Sequence, residues 1–145
     1  MLNNILIGAF LIVITIVIHA WAMMFVLRGI HTKVRGWRLR LRESRIYWIA
    51  SIVLVMFLAS LLEAFAWAVA YLLLNAVQSF EEAFYFSMVT YTTLGYGDVI
   101  LGEQWRLLGS FEAANGIIIF GWSTAVIMAM VHHVYIGKDQ SQQKR

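Results

Sequence analysis

Three long apolar runs dominate the chain, at residues 5–27, 46–75 and 105–135. As helices the first two cover roughly 34 Å and 45 Å, against a hydrocarbon core about 30 Å thick. The first run contains His19 but no Asp, Glu, Lys or Arg. The second is interrupted by Glu63, and the third carries Glu112 and Asn115 in its first half. A secretory leader does not account for the first run, which has no basic side chain before it, exceeds the usual apolar length and has no small-x-small site after it. Between the second and third runs, the stretch 82–89, mostly apolar after Glu82, is too short to cross a bilayer. Ser79 with Glu82 three positions later has capping-box spacing and predicts a helix over 79–91. A short helix at membrane depth needs protein around its ends, because unpaired backbone is costly in lipid. The pattern predicts an all-α membrane protein with three transmembrane helices and one re-entrant helix.

Composition narrows the class. Of 145 residues, 61% are hydrophobic and 13% charged, against roughly 45–50% and 25% in soluble domains. These figures rule out a disordered chain and argue strongly against a soluble globular domain, which needs more polar surface. With no Cys there is no disulfide, thiolate nucleophile or Cys-based metal site, and with no Pro there is no proline kink. The net charge of +3 points to membrane rather than nucleic acid. Its basic side chains concentrate at Arg28, His31, Lys33, Arg35, Arg38, Arg40, Arg42 and Arg45, with Glu43 the sole acid among them. Only Trp37 interleaves, and no nucleic-acid motif is present. Residues 28–45 read as a basic linker. Its alternating stretch 38–42 is suited to lie on the surface, leucines toward lipid and arginines toward phosphates, and Gly29 and Gly36 weaken any helix there.

The chemistry concentrates after the short helix, in Thr90-Tyr91-Thr92-Thr93-Leu94-Gly95-Tyr96-Gly97-Asp98. This stretch resembles the selectivity filter of the potassium channel pore-domain family, of the two-helix pore-loop type. The resemblance extends over the order outer helix (46–75), pore helix (79–91), filter (93–97) and inner helix (105–135). An N-terminal transmembrane helix (1–27) and the linker are additional to that pore, and residues 136–145 form a short cytoplasmic tail. The resemblance implies a tetramer with three further copies of the same chain. Thr93, Leu94, Gly95, Tyr96 and Gly97 would form an extended filter whose backbone carbonyls, with the Thr93 hydroxyl, replace water around potassium ions. No other cofactor is implied. Gly95 and Gly97 supply the dihedral freedom that inward-facing carbonyls need. Leu94 and Tyr96 would turn from the ion path and pack against the pore helix. Thr92, Asp98, Tyr85 and Val89 would support the filter. Asp98 is expected to meet an aromatic residue, and Tyr85 can hydrogen-bond where Phe86 cannot. Val89 stands where some members carry a glutamate that pairs with this aspartate.

Other polar residues have structural and functional readings. Glu63 and Glu112 are costly at membrane depth and should face protein or water, as hydrogen-bonded supports or proton-sensitive contacts. His19 reads as a packed polar residue. His132 and His133 are adjacent and lack a third ligand, so no metal site is expected. Trp48, Trp67 and Tyr71 are suited to the membrane interface or to helix contacts. Gly116 and Gly121 are candidates for an inner-helix hinge and equally for close packing. No triad or phosphate-cradling loop supports an enzyme.

The reading is a passive potassium-selective channel. The alternative is a non-conducting channel-like regulatory or scaffolding subunit. Either is an integral protein of a plasma or bacterial inner membrane in contact with lipid. Its basic linker should be cytoplasmic, the N-terminus outside and the C-terminus inside. Single cysteines at Asn3 and Gln142 test this in a chain that has none of its own. An impermeant thiol reagent applied outside should label the Asn3 site and spare the Gln142 site; the reverse pattern would invert the topology.

Overall fold

The structure, a computed structural model, describes residues 1–34 and 42–135, with side chains over 1–28 and 46–132. Four α-helices account for most of these: α1 (Leu2–Val34), α2 (Arg42–Leu73), α3 (Phe80–Tyr91) and α4 (Arg106–Tyr135). A 3-10 turn, Glu103–Trp105, precedes α4. Three helices are long and apolar enough to cross a membrane, over Leu2–Arg28, Ile46–Leu73 and Glu103–His132. The fold of the described residues is all-α.

The helices run further into the basic segment than the sequence suggests. α1 continues through Gly29 to Val34, and α2 begins at Arg42. A glycine costs a helix about 1 kcal/mol relative to alanine, which a long packed helix absorbs. The alternating Arg/Leu stretch falls mainly within residues 35–41, outside the described residues, as does the tail from 136.

Each long helix buries a stripe at alternating three- and four-residue spacing. On α1 it includes Asn4, Leu11, Thr15, His19 and Val26; on α2, Met56, Glu63, Trp67 and Tyr71. On α4 it includes Leu108, Glu112, Asn115, Ile119, Ser123, Val126 and Met130. Large apolar side chains such as Phe10, Trp21, Phe25, Leu54 and Phe57 point outward. This is the arrangement hydrocarbon permits: apolar groups face lipid, and the buried carboxyl, imidazole, amide and hydroxyl groups find partners inside, the indole N–H groups of Trp67 and Trp105 being exceptions. Trp67 and Tyr71 are fully buried, so they serve helix contacts rather than the membrane interface.

α1 is an integral part of the bundle. Its Thr15 hydroxyl accepts from Asn115 Nδ2 of α4 at 2.8 Å, and Asn4 Nδ2 donates to the Gln104 carbonyl. α2 ends with Asn75 in a left-handed conformation (φ 50°), the Ala76 N–H bonding back to the Tyr71 carbonyl at 2.9 Å. That geometry closes a helix C-terminus and sends the chain toward α3.

α3 meets α4 at Gly116. A Cβ there would collide with the Tyr91 carbonyl, whereas a Cβ at Gly121 would meet nothing within the chain. Gly116→Ala should therefore cost about 1–3 kcal/mol through forced displacement of backbone. Gly121→Ala should be neutral or stabilising, as alanine is the better helix former. Thermal unfolding of the purified variants in detergent checks the contrast.

Candidate functional site

The site is built at the C-terminal end of α3. Its N-terminal end is fixed first: Ser79 lies extended and its hydroxyl accepts from the Glu82 N–H at 3.2 Å. The Glu82 carboxylate reaches back to the Gln78 N–H at 3.3 Å, one residue before the reciprocal bond of an ideal capping box. Glu81 and Glu82 in the first turn complement the helix dipole.

The buried face of α3 carries Ala83, Ser87 and Tyr91 at four-residue spacing. Ser87 Oγ lies 2.6 Å from the Ala64 carbonyl of α2 and 2.5 Å from Glu112 Oε1 of α4. Tyr71 of α2 donates to Glu112 Oε2 at 2.6 Å. Ser87 has one hydroxyl proton and two acceptors beside it, so a second proton must lie in the cluster for both contacts to be hydrogen bonds.

One turn on, Tyr91 donates to Glu63 Oε2 of α2 at 2.6 Å. Glu63 Oε1 lies 3.0 Å from His19 Nδ1 of α1, and His19 Nε2 lies 3.2 Å from Ser123 Oγ of α4. The Ser123 hydroxyl also lies 2.9 Å from the Ile119 carbonyl, and the tautomer of His19 sets which ring nitrogen donates. His19 and Glu63 have no exposed surface, and Tyr91 has almost none. The ring of His19 rests 5.1 Å from that of Trp122, and Tyr91 packs edge-on to Phe120 at 5.7 Å.

From this seat the chain leaves the helix. Thr92 is the C-cap; its N–H and hydroxyl both reach the Met88 carbonyl. The Thr93 N–H bonds to the Thr90 carbonyl at 2.9 Å. The Val89 carbonyl accepts from both Leu94 N–H, at 2.9 Å, and Gly95 N–H, at 3.2 Å. Three alternate residues then have positive φ: Thr93 at 61°, Gly95 at 57° and Gly97 at 79°. Thr93 is the unexpected member, because a β-branched residue is strained in the left-handed region. No glycine flags it in the sequence.

Residues 92–98 lie together on an exposed edge of the chain. Leu94 is 54% and Tyr96 68% exposed. Within the single chain neither side chain is buried against α3. Asp98 accepts from the Tyr85 hydroxyl at 2.7 Å, and Val89 is buried beneath the loop. Glu63 and Glu112 sit behind α3, away from the exposed edge, as hydrogen-bonded supports. Gly116 lies against the Tyr91 carbonyl, and α4 is continuous past Gly121.

The sequence did not single out Tyr91, Ser87 and Ser123 as partners of Glu63, Glu112 and His19, nor Thr15 as the partner of Asn115. Ala83 and Ser87, four residues apart, were the available signal, since small residues on one face mark close helix approach.

The bundle is thus a membrane-length helical protein with an irregular, glycine-bearing loop seated on a short helix. A family model described as ion channel matches residues 47–133, and the chain belongs to that ion channel family. No curated protein and no solved structure matches the chain. The described residues contain no group of three or more His, Cys, Asp or Glu that could hold a metal ion.

The Tyr85–Asp98 bond has a titration consequence. The Tyr85 hydroxyl is the main cause holding the Asp98 carboxyl below its ordinary value, helped by backbone N–H groups of Asp98 and Val99; the same bond raises Tyr85. A depressed folded-state value gives stability that is complete above the ordinary Asp range and lost as pH falls through the depressed value. Tyr85→Phe should return Asp98 toward the ordinary range. Carboxyl-labelled aspartate resolves this by NMR titration, since Asp139 is the only other aspartate.

Proposed function

We propose that this chain forms a potassium-selective pore as a tetramer, with the loop Thr93–Gly97 as its filter and α3 as a re-entrant pore helix. The observation that carries the reading is the alternation of φ at Thr93, Gly95 and Gly97, inside the segment matched by the ion channel family. Alternation of left- and right-handed residues turns successive peptide groups to a common side, so N–H groups gather on one side and carbonyls on the other. A row of carbonyls offers a dehydrated cation a ladder of oxygen ligands. Thr93 adds its hydroxyl at the inner end, and Asp98, held by Tyr85, closes the outer end.

One strand cannot surround an ion, so closed rotational symmetry must supply the others. The exposed Leu94, Tyr96, Ile117, Ile118 and Phe120 give this edge the apolar surface that contact between copies requires. α2 is the outer and α4 the inner helix of each pore unit, with Thr92, Val89, Tyr85 and Asp98 supporting the filter. Gly116 and Gly121 are the positions at which α4 can flex. α1 lies outside the family segment and packs behind α2 and α4. The basic segment faces the cytoplasm.

The test is flux from liposomes containing purified tetramers, in potassium and in sodium. Wild type should carry potassium selectively. Gly95→Ala and Gly97→Ala should abolish or severely impair selective flux, because both glycines have positive φ with open space around them, so the penalty is backbone strain alone. Leu94→Val should keep selectivity. Normal selectivity in fully incorporated glycine variants would refute the filter, and an intact wild-type tetramer without flux would favour a non-conducting subunit.

A further inference from the structure

The family segment starts at residue 47, so α1 is outside it, yet α1 contributes a wholly buried histidine to the support of the loop. His19 lies two contacts from Tyr91: 3.0 Å to Glu63, then 2.6 Å from Glu63 to the Tyr91 hydroxyl. Tyr91 is the last residue of α3, two positions before Thr93. Its carbonyl lies against Gly116 and its ring against Phe120. Beside the Thr92 cap, the Tyr91 hydroxyl is a further control on where α3 ends, and it is held by the carboxyl that His19 also contacts.

We propose that His19 is a positioning residue for ion selection, acting through Glu63 and Tyr91 on the dihedrals of the loop at Thr93. The inference rests on the reading of Thr93–Gly97 as the conducting filter. Three features make His19 suited to the task. Both ring nitrogens are engaged, by Glu63 and by Ser123, so the ring cannot rotate without breaking a buried bond. The ring is also braced against Trp122. Finally, Glu63 spends one oxygen on His19 and the other on Tyr91, so displacement of one partner moves the other. Through this chain the added helix bears on selectivity while remaining remote from the ion.

The full-length chain in liposomes supplies the test, with the potassium-to-sodium permeability ratio as readout and tetramer yield measured alongside. A purely structural role would change yield and leave the ratio alone. His19→Leu and Tyr91→Phe should each lower the ratio by about tenfold, and the double variant should fall no further than either one, as expected for members of one buried network. His19→Gln, which keeps a donor and an acceptor, should stay within about threefold of wild type. Should His19→Leu fail to assemble, His19→Asn takes its place under the same criterion, being polar but too short to reach both partners. Unchanged ratios in the His19 and Tyr91 variants of a selective wild type would overturn this inference alone, as would additive losses in the double variant. A wild type without selective flux would overturn the functional reading and this inference with it.

Discussion

The bundle depends on the rule that a polar side chain removed from water must find its partner within the protein. In lipid the apolar surfaces of helices gain little by meeting one another, since hydrocarbon is as good a neighbour. Polar contacts are directional, and leaving one buried group unpaired costs about 1–3 kcal/mol. The chain of contacts from Tyr91 through Glu63 and His19 to Ser123 visits α3, α2, α1 and α4 in turn. It fixes the rotation of each helix about its own axis, which apolar packing alone would leave degenerate.

A second cluster divides the work. Glu112 and Tyr71 hold Ser87 in the middle of α3, and Glu63 holds Tyr91 at its end. Two attachments on one face of a helix, one turn apart, determine both its tilt and its roll. The capped first turn then sets where α3 begins, and the irregular loop leaves from a fixed point in a fixed direction. Strain at Thr93 is tolerable only because the preceding residue pairs are held so fully.

Much of this was legible in the sequence. Long apolar runs gave the three helices, Ser79 gave the start of the short one, and Gly95 and Gly97 marked the loop that demands unusual backbone. The choice of Tyr85 over Phe86 as partner of Asp98 followed from hydrogen-bonding capacity. The inner faces were harder to see. In a segment where nearly every residue is apolar, no contrast separates core from lipid face, and the buried stripe is marked instead by small and polar residues such as Thr15, Ala64 and Ser123. Helix ends near the basic segment also escaped, because arginines and lysines are good helix formers whose charge says where water is, not where a helix stops. The left-handed Thr93 had no compositional trace at all.

The contact between Gly116 and the Tyr91 carbonyl joins α4 to the end of α3 through backbone alone. With no side chain between them, the backbone of α4 bears directly on the last peptide of α3. No side chain is there to take up a displacement between the two helices, so a shift of α4 at Gly116 is met by the last residue of α3, two positions before Thr93.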